Sequence, residues 1–249
     1  MNEPQVGGAG NPYAAPGTDE ADEPKRPAPA AHAEGYRAQS AVVRALVVLL
    51  GIQGAMHAFN GVACAIVLAG APTSVTQGLV RISSGVGAVH QAFYWLGVLG
   101  FGMFVVRANK NARAFIAATG GPNLAADFAA WQPINGFSPA SMVWWYFVPI
   151  FCWFKPYQAT QAVWFCSAPD SSGIETAAQG GVLTAWWVSW LALTLWNIAQ
   201  SMPGKLDVHT HNLLSTVTGA LGAGACVAAL MMVRALQQRQ VVRAAELWP

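Results

Sequence analysis

Residues 139–154 read PASMVWWYFVPIFCWF, and whether this stretch crosses a bilayer decides the fold. Its sixteen residues would make a helix only about 24 Å long, short of a hydrocarbon core of about 30 Å. Pro149 adds a break, because it has no N–H to donate to the Trp145 carbonyl. The stretch ends a block without Asp, Glu, Lys or Arg that runs from Phe128 to Phe154. Four more such blocks flank it: Ala45–Val80, Ile82–Val106, Thr176–Gly204 and Val208–Val233. Each exceeds the roughly 20 apolar residues that span a membrane.

Only 10% of the chain is charged, against about 25% in soluble domains, and 54% is hydrophobic. The sequence therefore predicts an integral membrane protein. Charge placement then settles the crossing number. If 139–154 crossed, there would be five spans and the cations would divide eight to five across the membrane. If it enters and returns, eleven of the thirteen basic residues share one side, with Arg81 and Lys205 on the other. The positive-inside rule selects the second arrangement.

The expected fold is an all-α integral membrane bundle of four transmembrane helices, at about 44–70, 86–106, 182–202 and 212–233. A Pro-broken re-entrant or interfacial segment covers 139–166, within a helical domain of 37–236. Residues 72–85 read as a connection. Both termini are expected to be cytoplasmic, in a plasma membrane. Residues 1–36 hold six of the fifteen prolines and six of the eleven acidic residues, the composition of a disordered tail. Residues 237–249 read as a polar, basic C-terminal tail. The first apolar run is too long for a cleavable leader and is expected to act as an uncleaved insertion signal. In the last span, Ser215, Gly219 and Ala223 form a small-residue stripe suited to close helix contact.

The basic residues sit mostly at the ends of apolar runs, where they meet lipid headgroups, so lipids and not nucleic acid are the expected partners. Arg107, Lys110 and Arg113 are three apart, which holds them near one side of a helix as a cluster for headgroups or for topology. After Lys155, Pro156 is placed to open a short helix, with Tyr157 and Trp164 as aromatic anchors in the headgroup plane.

Within the spans, Gln53, His57, Asn60 and Cys64 share one helix face, and Trp190, Thr194, Asn197 and Ser201 share another. Packed together they would form a polar seam; such a seam fixes helix register or passes protons or small solutes. A haem between His57 and His90 is disfavoured, because the expected span boundaries put them about 14 Å apart in depth. His209 and His211 bracket Thr210 in a turn, an arrangement open to metal, though no metal or other cofactor is expected. The four cysteines form no CxxC pair, and the apolar blocks hold no carboxylate for acid–base chemistry, so no enzyme is expected.

Asn111-Ala112-Arg113, Phe137-Ser138-Pro139, Trp144-Trp145-Tyr146-Phe147-Val148-Pro149-Ile150, Lys155-Pro156-Tyr157-Gln158-Ala159 and Val163-Trp164 follow one another in order. The series resembles the bacterial multi-pass membrane family known as domain of unknown function 4328, with likeness over about 40–236. The resemblance implies a membrane protein and supplies no activity. The expected role is structural, scaffolding or sensory, with no assigned protein partner and with a homo-oligomer compatible. The alternative is small-solute or proton translocation along the polar seam; a third reading is a membrane redox subunit.

Overall fold

The computed structural model describes residues 36–119, 137–148, 150–169, 180–201 and 207–248. These form helices and no strand. In order they are α1 (Ser40–Leu68), α2 (Thr73–Ala118), α3 (Ser141–Trp144), a 3-10 turn (Phe151–Trp153), α4 (Lys155–Cys166), α5 (Gly181–Gln200) and α6 (Val208–Leu247). Four of them, α1, α2, α5 and α6, are long and apolar enough to cross a membrane. The protein is an all-α membrane bundle, with four candidate spans among its described residues. Residues 1–35 of the expected N-terminal tail, and Pro149 of the expected Pro-broken segment, lie outside the described residues.

α1 ends at Leu68; Gly70, two residues on, takes a φ of +81° that suits a residue without Cβ, and Pro72 then precedes the first turn of α2. So short a turn returns the chain at once, and α2 packs directly on α1. The expected connection at 72–85 is therefore helix: α2 starts at Thr73 and runs 46 residues, about 69 Å. α6 runs antiparallel to α1, with Gly61 against Gly219 near the far end and Gln39 against Gln240 near the other. Gly219 serves the close contact expected of it, but its companions on that face are Gly222 and Cys226. α5 seats on α6, where Trp196 Nε1 and Gln200 Nε2 both donate to Thr218 Oγ1, at 2.9 and 2.8 Å.

Both ends of the described chain lie at one end of the bundle, the terminal face. Tyr36, Phe115 and Trp248 form a triangle of ring contacts there, with centroids 5.7–5.8 Å apart. Residues 237–247 of the expected polar C-terminal tail are instead the last turns of α6, and Gln240, Arg243 and Ala244 are buried. The densest core is at this face. Phe104, Ala108 and Ala112 of α2 meet Ala159 and Val163 of α4 and Met232, Val233 and Leu236 of α6. Apolar burial stabilises chiefly where the alternative is water, at about 1.5–3 kcal/mol per large side chain. Within lipid that drive is absent, and packing with hydrogen bonds must hold the helices.

The described residues of 137–155 fold back so that the two ends of the segment meet. Tyr146 reaches Phe101 of α2 and Trp190 of α5, at centroid distances of 6.3 and 5.8 Å. Lys155 Nζ then comes back to 5.5 Å from the Phe137 ring, so the segment ends where it began. Trp144, Phe147 and Ile150 are exposed along its outer side. Tyr157 follows in α4, stacked on Trp187 at 6.0 Å and 3.1 Å from the Thr184 hydroxyl. Trp164 is not a headgroup anchor: it is buried beneath the Arg239 guanidinium, which sits 4.3 Å from its ring centroid.

Candidate functional site

The polar face of α1 is answered by α2. Gln53 Nε2 donates to the Phe93 carbonyl at 2.7 Å, and Gly97 leaves the room this needs, since a Cβ there would lie 2.8 Å from Gln53 Nε2. His57 Nε2 and His90 Nε2 are 3.2 Å apart, with the rings edge to face at a centroid distance of 4.5 Å. One ring donates and the other accepts. Ser83 Oγ donates to Asn60 Oδ1 at 2.9 Å. The answering positions Ser83, His90 and Gly97 repeat every seven residues, the spacing of a helix–helix seam.

The seam partner is α2 and not α5, because the short turn at Gly70–Pro72 gives the α1 face to α2 first. On α5, Thr194 Oγ1 donates to its own Trp190 carbonyl at 2.8 Å, and Asn197 is exposed. The depth argument against a His57–His90 pairing also fails. It placed the start of the second span at Val86, whereas α2 begins thirteen residues earlier and carries His90 about 25 Å along its length. As arranged, the rings bond each other. A haem iron between two axial imidazole nitrogens, each about 2 Å away, would need them near 4 Å apart.

At the terminal face lies a second polar cluster, which the sequence reading missed. Gln240 is buried and uses both ends of its amide fully. Its Oε1 accepts from Gln39 Nε2 at 2.6 Å and from Asn111 Nδ2 at 3.1 Å. Its Nε2 donates to the Ala108 carbonyl and to Ser167 Oγ, both at 2.9 Å. Asn111 also clamps the chain before α1, accepting from Arg37 N and donating to the Arg37 carbonyl, each at 3.1 Å. One glutamine thus ties α1, α2, α4 and α6 together. The signal was present in the repeat Val233, Leu236, Gln240, Ala244, which continues the buried stripe of α6 through the segment read as a tail.

The cationic cluster divides. Arg113 turns inward: its Nε donates to Asn109 Oδ1 at 2.9 Å and its Nη2 to the Phe137 carbonyl at 2.7 Å. Asn109 Nδ2 donates to the same carbonyl at 3.1 Å. Arg107 and Lys110 are joined by Arg37 instead, around a cleft of about 440 Å³. His209 and His211 lie on the first turn of α6, where residues two apart point away from each other, so they do not form a chelate. Among the described residues no three His, Cys, Asp or Glu side chains are grouped to hold a metal.

The motif positions therefore have places in the architecture. Asn111 belongs to the Gln240 cluster, Arg113 pins Phe137, and Trp145 packs on Phe151 at 5.4 Å. Lys155 closes the re-entrant segment, while Pro156 and Gln158 lie in the first turn of α4, where the Gln158 N–H bonds the Phe154 carbonyl at 3.0 Å. A helical membrane bundle with four candidate spans and a folded-back aromatic segment is the class these features define. The chain belongs to the family described as Domain of unknown function (DUF4328), whose family model matches residues 71–238. No curated protein and no solved structure matches the chain.

Proposed function

We propose that the protein is a non-enzymatic membrane scaffold whose terminal face is a rigid platform for a protein partner. The Gln240 cluster is the observation that carries this reading. α2 continues about 18 Å past Val106, and α6 about 21 Å past Val233. Buried hydrogen bonds fasten these extensions to each other and to α4. Gln240 makes all four bonds its amide allows, although Gln39 Oε1 has no partner among the described residues, and those four bonds favour one arrangement of the elements that enter the cluster. Intramembrane polar groups are spent on each other: Gln53, His57 and Asn60 all have partners on α2. Nine basic residues at or near the terminal face, from Arg37 to Arg243, support its placement on the cytoplasmic side of a bacterial plasma membrane.

The test is cross-linking mass spectrometry in native membranes, comparing wild type with Gln240→Leu. The reading expects reproducible cross-links from Lys110 and Lys155 to one partner protein, and their loss in the variant. Cross-links to the partner that survive in Gln240→Leu would contradict it. Links to a second copy of this chain instead would point to a homo-oligomer.

The His57–His90 contact favours a second reading, proton or small-solute passage along the α1–α2 seam. In proteoliposomes with an imposed pH gradient, that reading expects faster dissipation than in empty vesicles, abolished by His57→Ala or His90→Ala. Equal decay in all three removes it.

A further inference from the structure

We propose that the cleft at the terminal end of α1 and α2 binds the phosphate headgroup of an anionic glycerophospholipid. Its polar wall is Arg37, Arg107, Lys110 and Asn111, so three cations face one small volume. Their backbone positions are fixed. Arg107 and Lys110 are one turn apart on α2, and the two Asn111 amide bonds hold Arg37 across from them. Like charges brought this close repel, and the arrangement is stabilised by an anion between them.

No side chain of the described residues supplies that anion. Asp207 and Glu246 are the only described carboxylates. Asp207 caps α6, which starts at the opposite end of the bundle, and Glu246 pairs with Arg243. A phosphate ester therefore fits the charge, and the volume of about 440 Å³ is in the range of small-ligand sites.

The other wall points to a lipid as the source of that phosphate. Val42, Met103 and Val106 line the cleft on the side toward the spans. Met103 is 60% exposed, and the exposed Leu99 lies one turn further along α2. An acyl chain entering there would follow an apolar track into the hydrocarbon, while the headgroup stayed with the cations at the interface. This site does not depend on the scaffold reading.

The test uses the full chain in neutral detergent and native mass spectrometry with added phosphatidylglycerol, phosphatidylcholine or inorganic phosphate. Wild type should retain one phosphatidylglycerol in preference to phosphatidylcholine. Each of Arg37→Gln, Arg107→Gln and Lys110→Gln should weaken retention about fivefold, and the triple variant about a hundredfold. Arg234→Gln, an exposed cation of α6 outside the cleft, should change nothing. Equal retention of the two lipids, or an unchanged triple variant, overturns the proposal. Displacement of the lipid by millimolar inorganic phosphate would keep a phosphate site but overturn the lipid as its ligand. Should the triple variant fail to fold, salt titration of wild type decides: retention must fall steeply with ionic strength.

Discussion

Gln240 and Asn111, 129 residues apart in the chain, share a buried hydrogen bond of 3.1 Å beyond the charge-free core of their helices. Replacing Gln240 with Leu keeps the volume but takes a partner from each of Gln39, Ser167 and Asn111, of which Asn111 keeps its bonds to Arg37. Each stranded buried polar group costs about 1–3 kcal/mol, and some relax toward water. Gln240→Leu should therefore lose about 2–4 kcal/mol, read as a lowered unfolding midpoint in detergent by tryptophan fluorescence. Gln238→Leu, on the exposed side of α6, should stay close to wild type.

α1 and α6 approach backbone to backbone. A Cβ at Gly219 would lie 2.5 Å from Gly61 Cα, so no rotamer change makes room. Gly219→Ala should separate the helices and cost about 1–3 kcal/mol. Gly224 faces open space on the same helix, and Gly224→Ala should be neutral or gain up to about 1 kcal/mol from helix propensity. Thermal unfolding of the pair measures the contrast; equal destabilisation would deny the close contact.

Ile150 turns the re-entrant segment with φ 68° and ψ −52°, a rare and strained conformation for a β-branched residue. Its side chain is 74% exposed, so little packing is lost with it. Ile150→Gly should raise stability by about 1 kcal/mol by removing that strain. A fall in the unfolding midpoint would mean that Ile150 holds the segment in place.

Asp207 caps α6 through Thr210. Hydrogen bonds from the Thr210 hydroxyl, then from its backbone N–H, hold the Asp207 carboxyl below its usual range. A depressed carboxylate contributes stability that is present above its unfolded pKa of about 3.9 and lost as pH falls through the folded value below that. Wild type should therefore exceed Asp207→Ala at neutral pH, and the two should converge below about pH 4. Curves that stay parallel across that window would show that the carboxylate form does not matter.

Much of the bundle was legible because charge-free length is a strong signal, and the return of residues 137–155 was legible because cation placement opposed a fifth crossing. Helix ends were not. Ser, Thr and Gln between 73 and 85 read as a connection, yet a membrane helix continues through them by satisfying its own backbone bonds. That single misplacement hid the meeting of His57 with His90. The face Gln53–His57–Asn60 was visible as a stripe, but a stripe does not name its partner; the four-residue turn after α1 does. Gln240 was overlooked because one uncharged amide in a basic segment looks like surface, and only its position in the buried repeat of α6 marks it as core.

The folded-back segment leaves both ends of the described chain at one face. With the four native cysteines replaced, Ala38→Cys and Ala245→Cys variants can be labelled in sealed inverted vesicles with an impermeant maleimide. Both sites are exposed in the fold. Labelling of both variants to the same extent, before the vesicles are opened, is the predicted result. Labelling of one and protection of the other would put the ends on opposite sides and contradict the four-crossing bundle.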